Sequence, residues 1–292
     1  MMSGSAEGPD ADQHGVLSIV ATPIGNLGDL SPRAVETLAR ADLIVCEDTR
    51  HTRKLLTHAG ISGVRMLAMH EHNEAAQVVQ VIHELDQDKR VALVTDAGTP
   101  AISDPGERLV AAAAASGFDI EVVPGPSAVI AALVVSGLET GRFVFEGFLP
   151  RKGRERKERL AEVAREHRTT VLYEAPHRLR ATLADLERTC GPLRRVAVAR
   201  ELTKLHEEVW RGPLHEATTK HETDEPRGEY VLVLAGAPPV EQASDDEIRR
   251  ALLVRIASGE DKKTAVTEVA KALNVSKRAA YNHALALGDG DA

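Results

Sequence analysis

The chain has 292 residues, long enough for two or three compact units. Its 43% hydrophobic and 27% charged residues make a globular balance, and only 3% are aromatic, so Ala, Val, Leu and Ile must build the cores. A formal net charge of −8 excludes a polycation and leaves nucleic-acid binding to a local basic patch, while two cysteines without a CxxC exclude a disulfide framework and fit a reducing cytosol.

Residues 1–14 are polar and acidic without an apolar segment, which predicts a disordered tail and not a signal peptide. No stretch reaches about 18 uninterrupted apolar residues, so no membrane span is expected. A strand is predicted at 17–21. The turn TPIGN follows, then Ser31-Pro32, an N-cap with proline at the first helical position, opening a helix to about Arg40. Strands are expected at 43–46, 64–68, 91–95 and 120–123, with helices at 74–85, 107–116 and 128–135. Ser127 is the expected cap of the helix at 128–135, and Asp104 with Pro105 is a candidate start for the helix near 107. This alternation predicts a largely parallel α/β sheet.

The pattern restarts at Phe143. Strands are expected at 143–148, 170–173, 195–199, 207–211 and 230–234, with helices at 154–166 and 176–188. The last three strands follow one another without a predicted helix, which suggests antiparallel hairpins and a mixed sheet. Beyond the linker Ala237-Pro238-Pro239, three short helices are expected at 245–258, 261–273 and 276–287. The division is a tail at 1–14, α/β subdomains at 15–125 and 126–237, and a helix-turn-helix-like unit at 244–288.

Three loops in the first half, 22–29, 95–106 and 124–128, each follow an apolar strand and contain glycine. Ligands in open α/β sheets bind beyond the carboxyl ends of strands, and glycine allows the backbone to approach closely. None of the loops is a GxGxxG or P-loop phosphate fingerprint. They suit a nucleoside-like ligand with an amino-acid tail, with Asp96 as acceptor. Ordinary βα turns are the competing reading for each loop alone.

PIGNLGDLSPRA, CEDTRHTRKLL, TDAGTPAISDPG, VVPGPSA, FEGFLPRKG, YEAPHRL and ARELTKLHEEVWRG occur in this order. Together they resemble the tetrapyrrole methylase superfamily, and within it the small-subunit ribosomal RNA methyltransferase I branch. The resemblance covers about 17–236. PIGNLGD departs from the GxGPGD of the tetrapyrrole enzymes, which favours the RNA branch. The resemblance implies two α/β subdomains with S-adenosylmethionine in the cleft between them, a cytoplasmic homodimer, and 2'-O-methylation of a cytidine ribose in the decoding region of 16S ribosomal RNA, within the small ribosomal subunit. It places Pro23, Ile24, Gly25, Asp96, Ala97, Gly98, Thr99, Ser127, Ala128, Tyr173 and Glu174 at the cofactor.

Charged residues near strand ends are the candidates for chemistry and RNA. Glu47, Asp48 and Glu201 are candidate proton acceptors, and Lys204 or Arg50 would stabilise a developing oxyanion. Arg50, Arg53, Lys54, Arg178 and Arg200 could hold RNA phosphate. His70, His72, Asn73 and Glu74 form a further polar group. If His70 and His72 lay on a strand they would share a face, but no third ligand has suitable spacing, and methyl transfer from a sulfonium needs no metal; no metal is expected. The segment 151–168 carries eight Lys/Arg against four Glu, including Arg151, Lys152 and Arg154, and is a candidate phosphate contact. Lys277 and Arg278, with Tyr281 and His283, would decorate the second helix of the helix-turn-helix. Solvated polar faces and a plain helical bundle are the alternatives for these segments. A tetrapyrrole-type methylase and a non-catalytic RNA-binding assembly factor are the alternative functions.

Overall fold

The structure is a computed structural model that describes residues 15–223, 225–239 and 243–287; the tail expected at 1–14 lies outside them. The chain forms two compact units that divide after Ala237.

The first unit opens with β1 (Val16–Val20), α1 (Pro32–Arg40), β2 (Leu43–Cys46), α2 (Thr49–His58), β3 (Arg65–Ala68), α3 (Glu74–Leu85), β4 (Arg90–Leu93), α4 (Glu107–Ala115) and β5 (Asp119–Val123). The five strands pair in the order β3-β2-β4-β1-β5, all parallel. Their side chains alternate between two buried faces. Leu17, Leu43, Val45, Val91 and Leu93 pack on Val81 and Leu85 of α3 and Leu109 of α4. Val20, Ile44, Cys46 and Ala92 pack on Ala34 and Leu38 of α1 and Leu56 of α2. Burial on both faces is why these strands read as continuous apolar runs. The Ser31 hydroxyl accepts from Ala34 N–H at 3.1 Å, so the expected cap of α1 is made.

The same unit continues with α5 (Ala128–Ser136), β6 (Phe143–Phe148), α6 (Gly153–Arg165), β7 (Thr169–Glu174), α7 (Leu179–Cys190), β8 (Arg195–Arg200), β9 (Glu208–Pro213), α8 (Leu214–Thr223) and β10 (Tyr230–Leu234). The second sheet has the order β6-β7-β10-β8-β9. β6 and β7 are parallel, and β10 is antiparallel to both β7 and β8. Leu160 and Val163 of α6, Leu179, Leu183 and Leu186 of α7, and Leu214 of α8 cover one face. Val129, Ala132 and Leu133 of α5 cover the other, together with Ile24 from the loop after β1.

Several expectations are corrected. α8 separates β9 from β10, so only β8 and β9 form a hairpin, and β10 inserts between β7 and β8. α2 has no counterpart in the sequence reading, because its first turns are polar. Asp104 does not cap α4: Gly106 is the N-cap, at φ 128°, and α4 starts at Glu107. The cap is supplied from elsewhere, since the Glu74 carboxylate accepts from Gly106 N–H at 3.0 Å and from Arg108 N–H at 3.3 Å. Ser127 is the N-cap of α5 but makes no side-chain cap bond. β3 ends at Ala68, so His70 and His72 lie in the following turn and not on a strand.

The second unit contains α9 (Asp245–Ala257), α10 (Lys262–Ala272) and α11 (Lys277–Ala286), each within one residue of its expected ends. Ile248, Leu252, Val266, Val269, Ala280 and Ala284 form its core. Asn274 turns the chain at φ 50°, and the Ser276 hydroxyl caps α11 by accepting from Ala279 N–H at 3.1 Å. Among the described residues no helix is long and apolar enough to cross a membrane.

Candidate active site

Parallel pairing puts the carboxyl ends of β1, β2, β4 and β5 on one edge of the first sheet, so the loops after them converge there. Thr22 and Gly98 exchange backbone hydrogen bonds of 2.9 and 3.1 Å. Thr22 Oγ1 donates to Thr95 O at 3.1 Å, and Thr99 Oγ1 to Pro126 O at 3.3 Å. The three predicted loops are thereby tied into one surface. Gly98, at φ 90°, needs glycine: an added Cβ would sit in a disfavoured backbone region and 3.3 Å from Ile24.

This surface faces the second sheet across a cavity of 330 Å³. Ile24, Ala97, Thr99 and Ala128 line it from the first side, and Tyr173, Glu174, Leu202 and Val231 from the second. A bulge between Phe145 and Gly147 breaks the β6 register, and Phe148 beyond it reaches the cavity. Tyr173 stacks edge-on with Phe145 at 5.0 Å, and burial, with Asp104 nearby, pushes its hydroxyl up to about 12. No lysine or arginine lines this cavity, whereas Asp104, Glu174 and Glu229 do.

A second cavity of 270 Å³ adjoins it, sharing Ile24, Ala97 and Glu229. Pro23, Gly25 and Asp96 line this one, with His51, Lys54 and Lys204. The predicted cofactor residues therefore divide between two chambers, apart from Gly98 and Ser127, which line neither; the first has only carboxylates among its charged residues, and the second sets Lys54 and Lys204 beside Asp96 and Glu229.

Four left-handed residues that are not glycine flank the cavities: Ala101 and Ser103 after β4, and Glu201 and Thr203 after β8. Such conformations are costly and collect at functional sites. Ser103 meets Gly147 of β6, where an added Cβ would lie 3.2 Å from its hydroxyl. The Ser103-Asp104 pair thus faces the cavity, and Asp104 accepts from Thr95 Oγ1 at 2.8 Å.

The candidate acids divide by what holds them. Asp48 is the N-cap of α2: it accepts from Arg50 N–H at 2.8 Å and pairs with the Arg50 guanidinium at 2.8 Å. The Arg50 hydrogen bonds hold its carboxyl down at about 2, which makes it a poor proton acceptor, and Arg50 is spent on the same pair. Glu201 salt-bridges Lys204 at 2.8 Å and accepts from Glu229 N–H at 2.9 Å. Burial opposes its ionisation, but these bonds outweigh it and keep the carboxyl below the usual range. Lys204 also pairs with Glu229 at 3.0 Å; burial disfavours its charge, but the two carboxylates prevail and raise its pKa. Glu47 differs. Burial first, then the charges of Asp104, Asp96 and Asp48, push its carboxyl upward. Asp96 accepts from Asp48 N–H at 3.3 Å.

Several predicted RNA contacts are structural. Arg178 pairs with Glu174 at 3.4 Å and donates to Leu149 O at 2.5 Å. Glu174 is buried and also accepts from Ala175 N–H and Thr182 Oγ1, so its carboxylate is occupied although it lines the cavity. Arg200 donates to Arg227 O at 2.8 Å. In α6, Arg156 is buried against Asp185 and Thr182, and Arg154 pairs with Glu158 at 3.3 Å. Arg156 is thus structural, while Lys157 and Arg165 of α6, Arg151 and Lys152 before it, and Arg53 on α2 are exposed. Asn73 and Glu74 are engaged by His70 N–H and the start of α4. Among the described residues no group of three or more His, Cys, Asp or Glu could hold a metal ion. Phe148, Leu202 and Glu229 line the cavity but were not singled out from sequence; Phe148 and Leu202 lie inside quoted motifs, while nothing around Glu229 marks it.

Residues 16–218 match the family of Tetrapyrrole (Corrin/Porphyrin) Methylases. Ribosomal RNA small subunit methyltransferase I of Synechocystis sp. is 47% identical over 275 residues, 94% of this chain and 98% of that one. The protein of the same name from Xylella fastidiosa strain Temecula1 is 51% identical over 238 residues, 81% of this chain and 87% of its own. The chain belongs to the ribosomal RNA small subunit methyltransferase I family. A uroporphyrin-III C-methyltransferase from Thermus thermophilus, complexed with S-adenyl homocysteine, shares the fold at a TM-score of 0.53 and 19% identity, covering 75% of this chain and 96% of that one. In this family member the PIGNLGD, TDAGTPAISDPG and PGPSA motifs are the three loops that meet at the cavities.

Proposed function

We propose that this chain is a homodimeric cytoplasmic enzyme that transfers a methyl group from S-adenosylmethionine to the 2'-oxygen of a cytidine ribose in the decoding region of 16S ribosomal RNA, within the small subunit. The observation that carries the reading is the pair of adjoining chambers, one whose only charged residues are carboxylates and one that sets Lys54 and Lys204 beside Asp96 and Glu229. A cationic sulfonium ligand fits a chamber lined by carboxylates and apolar side chains and free of lysine and arginine. A phosphate-bearing substrate fits the neighbour with His51, Lys54 and Lys204. The relatives' name and the S-adenyl homocysteine in the fold neighbour support the same substrates.

The residues present fit S-adenosylmethionine: Ala97 and Thr99 bring the loop on either side of Gly98 to the cavity, and Ile24, Leu202 and Phe148 give an apolar wall for an adenine. When bound, it supplies an activated methyl on sulfur. Lys54 would hold RNA phosphate, and Lys204, kept cationic, would face the ribose oxygen as negative charge develops. Glu47, with its raised proton affinity, is the proton acceptor of this reading, in a carboxylate cluster with Asp96 and Asp104. The packing of α5 on the second sheet supports a subdomain division at 125/126.

The test is to incubate the protein with assembled small subunits and methyl-labelled S-adenosylmethionine, digest the RNA, and identify the labelled nucleoside by mass spectrometry. Label in 2'-O-methylcytidine is expected. Label on a base, on another nucleoside, or only on an added porphyrinoid would overturn the reading.

A further inference from the structure

α10 and α11 enclose a groove of 630 Å³ that takes no part in the site above. Its rim carries Lys262 and Lys263 at the start of α10 and Lys277 and Arg278 at the start of α11. All four are exposed, and none forms an ion pair among the described residues. Between the cations the floor is apolar: Val266, Leu285 and the ring of Tyr281, which is 54% exposed. Helical spacing explains the placement. Positions 277, 278, 281 and 285 lie on one side of α11, while Ala280 and Ala284 face the core.

Among the described residues no acid of this unit lines the groove. Glu260 is held by Arg255 at 2.9 Å, and Asp245 by His283 at 3.1 Å. Asp261 is turned into the α10 backbone, accepting from Lys263 and Thr264 N–H. An acidic protein thus concentrates four unpaired cations around one apolar, aromatic-floored groove. Cations spaced along a groove with an exposed ring at its base match a single-stranded nucleic acid: phosphates meet the cations, and an unstacked base lies on the aromatic face. A duplex offers no free base face to Tyr281, so the floor would be idle against one.

We infer that the groove between α10 and α11 is a second RNA-binding site, which grips single-stranded ribosomal RNA with Lys262, Lys263, Lys277 and Arg278 on its phosphates and Tyr281 beneath a base. This rests on the reading of RNA as substrate and adds a holding site outside the methyl-transfer chambers.

The test uses the full-length protein and fluorescence anisotropy with a labelled single-stranded 12-nucleotide RNA across a salt series. Replacing Lys262→Gln and Lys263→Gln together is expected to lower the slope of log affinity against log salt by about 1.4, from roughly 0.7 per phosphate contact. Tyr281→Ala is expected to weaken binding roughly five- to a hundredfold without altering that slope. Arg249→Gln with Arg250→Gln on α9 removes the same charge away from the groove and is expected to leave binding unchanged. Circular dichroism melts check that each variant is folded. Wild-type affinity in the groove variants, equal weakening in the α9 variant, no binding by the wild type, or tighter binding of duplex DNA would each overturn the inference. Calorimetric titration with S-adenosylmethionine and the labelled-nucleoside assay read the proposed function separately, so either can fail alone.

Discussion

Gly25 is glycine because Lys204 crosses directly over it: an added Cβ would lie 2.3 Å from the Lys204 Cγ. The lysine stem, anchored by Glu201 and Glu229, straps the loop after β8 to the loop after β1. Gly25→Ala should therefore displace Lys204, cost about 1–3 kcal/mol by overpacking, and lower the methyl-transfer rate; thermal melting and the labelled-nucleoside assay check both effects. A second residue-level prediction separates the neighbouring acids. Glu47 must lose its proton to act, and its pKa is raised, so the methyl-transfer rate should climb with pH through a value above the ordinary carboxylate range. Glu47→Gln should abolish that limb and most of kcat. Asp48→Asn keeps an N-cap and removes a group already ionised down to about pH 2, so it should keep the limb. A profile that follows Asp48 instead would reverse the assignment. The loops that meet at the cavities are legible from sequence because glycine and proline at strand ends report backbone geometry directly. The roles of Asp48, Glu201 and Arg178 were not, because each is decided by a hydrogen-bond partner: Arg50 on the same turn, Glu229 some 28 positions away, and the carbonyls of Leu149 and Pro150.

At the level of elements, the buried guanidinium of Arg194 shows how the second sheet holds its helices. It donates to Ala164 O at 2.9 Å, Val163 O at 3.3 Å and Glu166 O at 3.0 Å at the end of α6, and to Ala235 O at 2.6 Å after β10. One side chain thus bonds four carbonyls, of which Val163 O also accepts from Glu166 N–H and Glu166 O from Ala237 N–H. Arg194→Leu should cost about 1–3 kcal/mol even if only one of them stays dry. Arg194→Lys should recover only part, since an ammonium lacks the planar fork. Melting temperatures of the two variants test the order. The elements that sequence reading found are those with continuous apolar runs or clear caps, such as β2, β4, β10 and α1. α2 was missed because Thr49 to Lys54 reads as a charged loop, and its buried stripe is only Thr52, Leu55 and Leu56. α8 was missed because LHEATTKHET is mostly polar, with Leu214 and Ala217 its contribution to the core. The insertion of β10 between β7 and β8 depends on pairing across more than 50 residues, which local periodicity does not encode.

At the scale of the whole molecule, α5 is the element whose surroundings are incomplete. Its sequence, AVIAALVVS, contains no charge, and a helix that is apolar on every side is normally buried on every side. Val129, Ala132 and Leu133 are covered by the second sheet, but Ile130 is 49% and Val134 67% exposed. Arg211 from β9 donates to Val135 O at the end of this helix, which fixes α5 in place and leaves the outer stripe nowhere to turn. The homodimer of the proposed function supplies the missing cover if two copies bring these stripes together. An apolar stripe buried in this way contributes roughly 25 cal/mol per Å², so a single carboxylate placed in it should outweigh much of the gain. Val134→Glu is therefore expected to convert a dimer into a monomer in light scattering, while the monomer still melts cooperatively because the inner face of α5 is untouched. A wild type that is monomeric at micromolar concentration, or a Val134→Glu variant that remains a dimer, would move the interface away from α5.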